Sequence, residues 1–280
     1  MLNENNVLNI YKKYSYSFGR FLRLSINRGD EEDIHQLRVT IKKIKALYNL
    51  FELISNRSIS AKKLYRIYSD IFIASGKVRE TQINLNILHQ FNTKIPKSYI
   101  DYLVSNQREY QEEMILEIKR FEKTKLYRQN SQIYKKIDAY YDPLTLEVST
   151  SFIEKKLLKI QKLLEEEKMI KLHKIRKLLR SIGEVLKIIY EINPQLNIND
   201  LFYNLKEIRD KIGKWHDLFI LSKSLEEFSN KNKSQENEFV SIIDVILTEK
   251  EILNLSIIND LISFYQLSLT KSIIFENSNT

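Results

Sequence analysis

The sequence predicts an all-α protein, and three observations carry that expectation. Turn residues are scarce, with 5 Gly and 3 Pro in 280 residues, where a β-rich chain of this length would need many more. Apolar residues recur with helical period along almost the whole chain. Pro96, Pro143 and Pro194 all fall at breaks in that pattern, as expected of a residue that lacks an N–H and biases its predecessor away from α geometry.

Taken in order, residues 7–27 read as a first helix, closed by Gly29-Asp30. A second covers 33–55 and stops at the polar turn Asn56-Arg57-Ser58. The third runs from Ser60 to His89, ahead of Asn92-Thr93 and Pro96. The fourth, over 97–140, ends at Asp142-Pro143. Four more are expected at 149–166, 169–192, 199–229 and 237–275. Their separators are Asn193-Pro194 with Asn197 to Asn199, and the polar run SNKNKSQEN from Ser229.

The second set repeats the first. A shift of 138 residues carries Asn56 onto Pro194 and Pro96 onto Ser234, so the joints coincide. The same shift lays His35-Gln36-Leu37-Arg38 on His173-Lys174-Ile175-Arg176. Within one residue of it, Gly76-Lys77-Val78-Arg79-Glu80 falls on Gly213-Lys214-Trp215-His216-Asp217. With only 4 His and 5 Gly in the chain, chance pairing of a His and a Gly from each half is a poor explanation, and each repeat becomes a candidate folding unit. The halves are 1–142 and 143–280.

Composition narrows the function. Hydrophobic residues at 43% and charged residues at 29% are a globular balance. The absence of Cys excludes disulfides and thiolate metal sites. The start MLNENNVLNIYKKYSYSF has no basic segment followed by an apolar block, so no signal peptide is expected. No stretch approaches ~18 uninterrupted apolar residues, so no membrane span is expected either. The cytoplasm is the expected location. A formal charge of +9 points to an anionic partner, although surplus Lys alone would equally suit a solvated surface.

Clustering decides between those two. His35, Arg38, Lys42 and Lys45 stand at i, i+3, i+7 and i+10, within a stripe roughly 80° wide on one helix. Leu37, Ile41 and Ile44 occupy the opposite side. Lining up cations is unfavourable by itself, and an anion laid along the row relieves the repulsion. In the second half His173, Arg176 and Arg180 continue the pattern, flanked by Lys177, and Lys187 returns to the line. Gly183 stands where the first half has Lys45, which weakens that row. A third face holds Lys206, Arg209, Gly213 and His216. Gly213 costs about 1 kcal/mol against Ala in a helix, which suggests close approach there by a neighbouring helix or a ligand oxygen. Gly76 with Arg79 is its poorer counterpart. His89 belongs to no such pattern and reads as structural. Trp215 and the many Tyr and Phe read as core and helix contacts, since they are not interleaved on a basic strand face.

A metal-dependent phosphohydrolase would need His216-Asp217 to converge with other His and Asp residues, but each His shares its face with Arg or Lys, which disfavours a bound cation. No phosphate-loop, dinucleotide-binding or H-E-x-x-H motif occurs.

The motif H-x-x-R-V-x-x-K-K-x-K from His35, paired with L-H-x-x-R-K from Leu172 and followed by GKVRE and GKWHD, resembles the CHAD family, the conserved histidine α-helical domain. The resemblance covers nearly the whole chain. It implies two four-helix bundles related by a pseudo-twofold axis, with a basic groove between them that binds inorganic polyphosphate without catalysis or cofactor. It assigns phosphate contact to His35, Arg38, Lys42, Lys45 and Arg79, and to His173, Arg176, Lys177, Arg180 and His216. Lys206 and Arg209 join them from the face argument. Departures from the pattern are Gly183, where a basic residue is usual, and Glu80 in place of Asp. The E-x-E-x-K motif of the triphosphate-processing domain fused to some members is absent, so a stand-alone module is expected, with polyphosphate granules one place for it. Nucleic-acid binding through the same stripes is the alternative. Oligomeric state is left open. If the rows only bind ligand, His35→Ala with Arg38→Ala should weaken binding and leave the melting temperature nearly unchanged.

Overall fold

The computed structural model describes residues 6–91, 95–137, 142–165, 171–195, 199–232 and 236–270, and all regular structure within them is helical. The order is α1 (Asn6–Asn27), α2 (Glu31–Ile54), α3 (Ala61–Tyr65), a 3₁₀ turn (Arg66–Tyr68), α4 (Ser69–Leu88), α5 (Lys97–Arg120), α6 (Lys123–Ile137), α7 (Asp142–Glu165), α8 (Leu172–Ile192), α9 (Asn199–Lys231) and α10 (Glu236–Thr270). No helix among the described residues is long and apolar enough to cross a membrane. The expected joints at Asn92-Thr93, Asn197 and 233–235, and the expected helix ends at 138–140 and 271–275, lie outside the described residues.

Where a stop signal falls on described residues, the structure stops. Gly29 takes φ +63 after α1, the left-handed closure that glycine adopts without Cβ strain. Asp30 then caps α2, accepting from the Asp33 backbone N–H at 2.8 Å. Asn56 and Arg57 both have positive φ in the predicted turn. Pro143 falls in the first turn of α7, where its missing N–H costs nothing.

Two expected helices are not continuous, and α7 begins at Asp142 instead of 149. The third is divided by the 3₁₀ turn, which turns Tyr68 into the core with no exposed surface. There the Tyr11 hydroxyl meets those of Tyr48 (2.9 Å) and Asn130 Oδ1 (2.6 Å), and Tyr48 meets Tyr68 at 3.2 Å. Buried hydroxyls need such partners. The fourth breaks at Phe121, whose extended backbone carries the ring onto Phe18 with centroids 5.4 Å apart. Neither break has Pro or Gly, so neither had a local signal.

One hydrophobic core runs from Val7 to Phe264 and crosses the 142/143 boundary without interruption. A second, smaller cluster joins the end of α4 and the start of α5 to the end of α9 and the start of α10, through Leu88, Tyr99, Leu103, Leu225, Phe228 and Phe239. Between the halves, α2 packs on α7 and α8, α1 on α8, and α4 on α9. The basic stripes predicted on α2 and α8 therefore lie on neighbouring helices.

Candidate functional site

The site forms where α2 and α8 lie side by side, flanked by α4 and α9. Leu37, Ile41 and Ile44 are wholly buried on α2, and Ile175, Leu179 and Ile182 on α8. Anchoring those stripes turns the cationic faces of the two helices toward each other. The consequence is visible in the ionisation of α2. Burial, with Arg180 of α8 as the next cause, lowers Arg38 to about 10, Lys42 to about 7, and Lys45 below its ordinary value. On α8, burial and Arg180 lower Arg176 to about 10, and burial with Arg209 lowers Arg180. Dehydrated like charges at close range disfavour one another's charged forms.

Several of the predicted cations are fixed by the protein itself. Arg38 Nη1 donates to the Phe72 carbonyl at 2.6 Å and to Ser75 Oγ at 3.3 Å, and its guanidinium lies 4.3 Å from the Phe72 ring centroid. It also passes over Gly76, where a Cβ would come 2.9 Å from Nη1. Gly76 thus makes room for Arg38. Arg79 pairs with Glu31, which also accepts from Asn86 Nδ2 at 2.8 Å. Those two hydrogen bonds overcome burial and hold the Glu31 carboxyl below its ordinary range. Lys45 Nζ rests 4.2 Å from the Tyr65 ring centroid.

On the second half, the Gly183 gap is filled. The Arg209 guanidinium lies over Gly183, in space that a Cβ there would occupy, and reaches Glu184 at 3.7 Å. The expected weak point of the second row is therefore a cationic one, supplied from α9. Lys187 is held by Glu184 at 3.2 Å. At Gly213 nothing among the described residues lies within 4 Å of where its Cβ would be, so of the two expected neighbours the helix is not there.

The three site histidines, His35, His173 and His216, are all held below their ordinary proton affinity. His216 is lowered to about 4, first by burial and then by Arg176, His173 and Arg180. His35 is lowered by burial and Arg79, and His173 by burial and Arg176. His173 makes edge contacts with Phe219 (4.7 Å), Trp215 (4.9 Å) and His216 (5.4 Å). Trp215 is partly buried against the main core, a helix contact as expected, but one that orients a site histidine. His216 Nδ1 is buried without a hydrogen-bond partner among the described residues.

Not every predicted residue joins the centre. Lys177 is exposed at its edge beside His173, and Lys206 is exposed on α9, with no contact to the cluster among the described residues. His89 is the exposed C-cap of α4. Sequence reasoning left the carboxylates out of the site, Asp217 and Glu184 among them. Asp217 faces Arg176, Arg79, Lys42 and Arg180, yet burial still pushes its carboxyl up. Glu184 faces Arg209, Lys187 and Arg180. The signal for both was their place beside His216 and Gly183. Among the described residues, no three His, Cys, Asp or Glu side chains group as a metal site would require.

Fold and site together define an all-helical protein with a cationic centre shared by its two halves. The CHAD domain family model matches residues 22–226, most of the chain, and the chain belongs to that family. Its fold is similar to that in a crystal structure of the CHAD domain from the plant Ricinus communis, with a TM-score of 0.69 over 93% of this chain and 91% of that one, at 13% sequence identity. No curated protein matches the chain.

Proposed function

We propose that the chain binds inorganic polyphosphate, without catalysis, in a basic groove between two four-helix repeats (1–142 and 143–280) related by a pseudo-twofold axis. The observation that carries this reading is the meeting of Arg38, Lys42 and Lys45 on α2 with Arg176 and Arg180 on α8. Burial lowers the proton affinity of all five, and Arg180 lowers that of the other four further. Four nearby carboxylates, Glu31, Glu80, Asp217 and Glu184, do not match the cations in number once Arg79 and Arg209 are included. A string of phosphates would relieve this repulsion at several points at once. Arginine engages two oxygens in a fork, and lysine acts as a point charge.

The orphaned Nδ1 of His216 would gain a ligand oxygen, and the open space beside Gly213 would admit it. A polyanion also favours the charged forms of His35, His173 and His216. The aromatic residues at the edge do not suit base stacking, because Trp215 and Phe219 stack on each other with centroids 5.9 Å apart. A location in the cytoplasm, at polyphosphate granules, fits this reading.

The test is a titration with polyphosphates of defined length at two salt concentrations, beside single-stranded and duplex nucleic acid at equal phosphate concentration. Affinity should rise with chain length and fall steeply with salt, by the counterion argument framed for nucleic acids. Displacement of long-chain polyphosphate by either nucleic acid would reverse the ranking, and metal-dependent shortening of the chains would make the protein an enzyme.

A further inference from the structure

Helix α10 is apolar on two opposite sides. Its inward stripe, with Ile242, Ile246, Ile257, Leu261 and Phe264, is buried. Its outward stripe carries Val245, Ile252, Leu255 and Ile262, which are 39%, 63%, 58% and 43% exposed, with exposed Thr248 and Asn259 between them. The six outward residues follow one another by three and four positions, the spacing of a heptad seam. At about 100° per residue they fill an arc roughly 100° wide, facing away from the core. A helix apolar all round is ordinarily buried, and no described residue covers this side.

The seam is symmetric in its polarity. From Val245 to Ile262 it runs apolar, polar, apolar, apolar, polar, apolar, about a midpoint between Leu253 and Asn254. An identical helix laid antiparallel about that point sets Val245 opposite Ile262, Thr248 opposite Asn259, and Ile252 opposite Leu255. Each layer then matches in polarity. The Thr248 hydroxyl already donates to the Asp244 carbonyl at 2.8 Å, which leaves its lone pairs to accept from the Asn259 amide of the second copy.

Charge sets the direction. A parallel pair would bring Asp244 beside Glu249 of the second copy, a like-charge contact across the flanking positions. The antiparallel pair instead faces Glu249 with Ser256 and Glu251 with Ile258.

We propose that α10 is a self-association face, and that two copies of this chain pair through antiparallel α10 helices about a twofold axis. Such an isologous contact needs one self-complementary patch and closes at two copies. The seam is about 26 Å long. One helix face of that length buries less than the ~800 Å² per partner of a standard interface, so the dimer should be reversible and concentration-dependent.

The chain has no Cys, so cross-linking can be read without background. Analytical ultracentrifugation of the full chain should show a concentration-dependent dimer. Ile252→Asp with Leu255→Asp should abolish it while leaving the melting temperature of dilute protein unchanged, because both side chains are exposed. Under oxidation, Val245→Cys mixed with Ile262→Cys should give a disulfide-linked dimer that neither variant gives alone. Cross-linking by each variant alone would mean a parallel pair and overturn the arrangement. A wild-type monomer at every concentration would overturn the proposal, including one whose α10 binds phosphatidylglycerol vesicles instead.

Discussion

The Arg209 guanidinium of α9 lies over Gly183 of α8, in the space that any β-carbon there would take. The first half holds the reciprocal arrangement, with Arg38 of α2 over Gly76 of α4. In each half a glycine lets an arginine from the adjoining helix into the cationic centre. Gly183→Ala should therefore weaken polyphosphate binding several-fold, by displacing Arg209. Stability should change little: Ala favours the helix by about 1 kcal/mol, against loss of an ion pair worth at most about 1 kcal/mol. Titration and thermal melting of the same variant check both halves of this expectation.

Burial, then Arg180, Arg38 and Arg176, lower Lys42 to about 7, a cost to the charged side chain in the free protein. Lys42→Met should raise the melting temperature of the free protein, by about 2–4 °C for each kcal/mol relieved, and should lower affinity for polyphosphate. A variant that melts lower and binds as before would remove Lys42 from the site.

The pH dependence follows from His216 and Lys42. His216 has a folded pKa of about 4, below the unfolded value of about 6.5. Between those values the unfolded chain binds more protons, so stability rises with pH and is lost as pH falls toward 4. Lys42, at about 7 folded and about 10.4 unfolded, makes stability rise with pH again across that higher window. If polyphosphate binds as proposed, it should restore protons to both groups. Binding near pH 7 should therefore take up protons, and affinity should fall as pH rises from 6 to 8. Calorimetry in buffers of different ionisation enthalpy measures the uptake directly.

Arg38 is a poor choice for separating binding from folding. The sequence-based expectation was that His35→Ala with Arg38→Ala would spare the melting temperature. Arg38, however, donates to the Phe72 carbonyl and to Ser75, and its loss removes charge-assisted hydrogen bonds worth roughly 1.5–3 kcal/mol, although Ser75 still donates to the Phe72 carbonyl. Arg38→Ala should lower the melting temperature. Arg176→Ala should weaken binding with a smaller stability cost, which circular dichroism melts beside the titrations check.

What the sequence determined by itself was the helical content and the spacing of the cationic stripes, because these depend on periodicity and on punctuation. Gly29, Asp30 and the Asn56-Arg57 turn act through their own backbone preferences, so their joints were legible. The 3₁₀ turn at Tyr68 and the break at Phe121 were not, because ring packing onto Phe18 and a shared hydroxyl network override helical pattern there. The stripes on α2 and α8 could be read from spacing alone. That they confront each other could not, since the facing of two helices depends on a core that crosses both halves. Nor could a sequence reading separate Lys206, left exposed in water, from Arg209, drawn in over Gly183. Both share one helical face, and only the neighbour across it, a glycine beside Glu184, decides which cation enters.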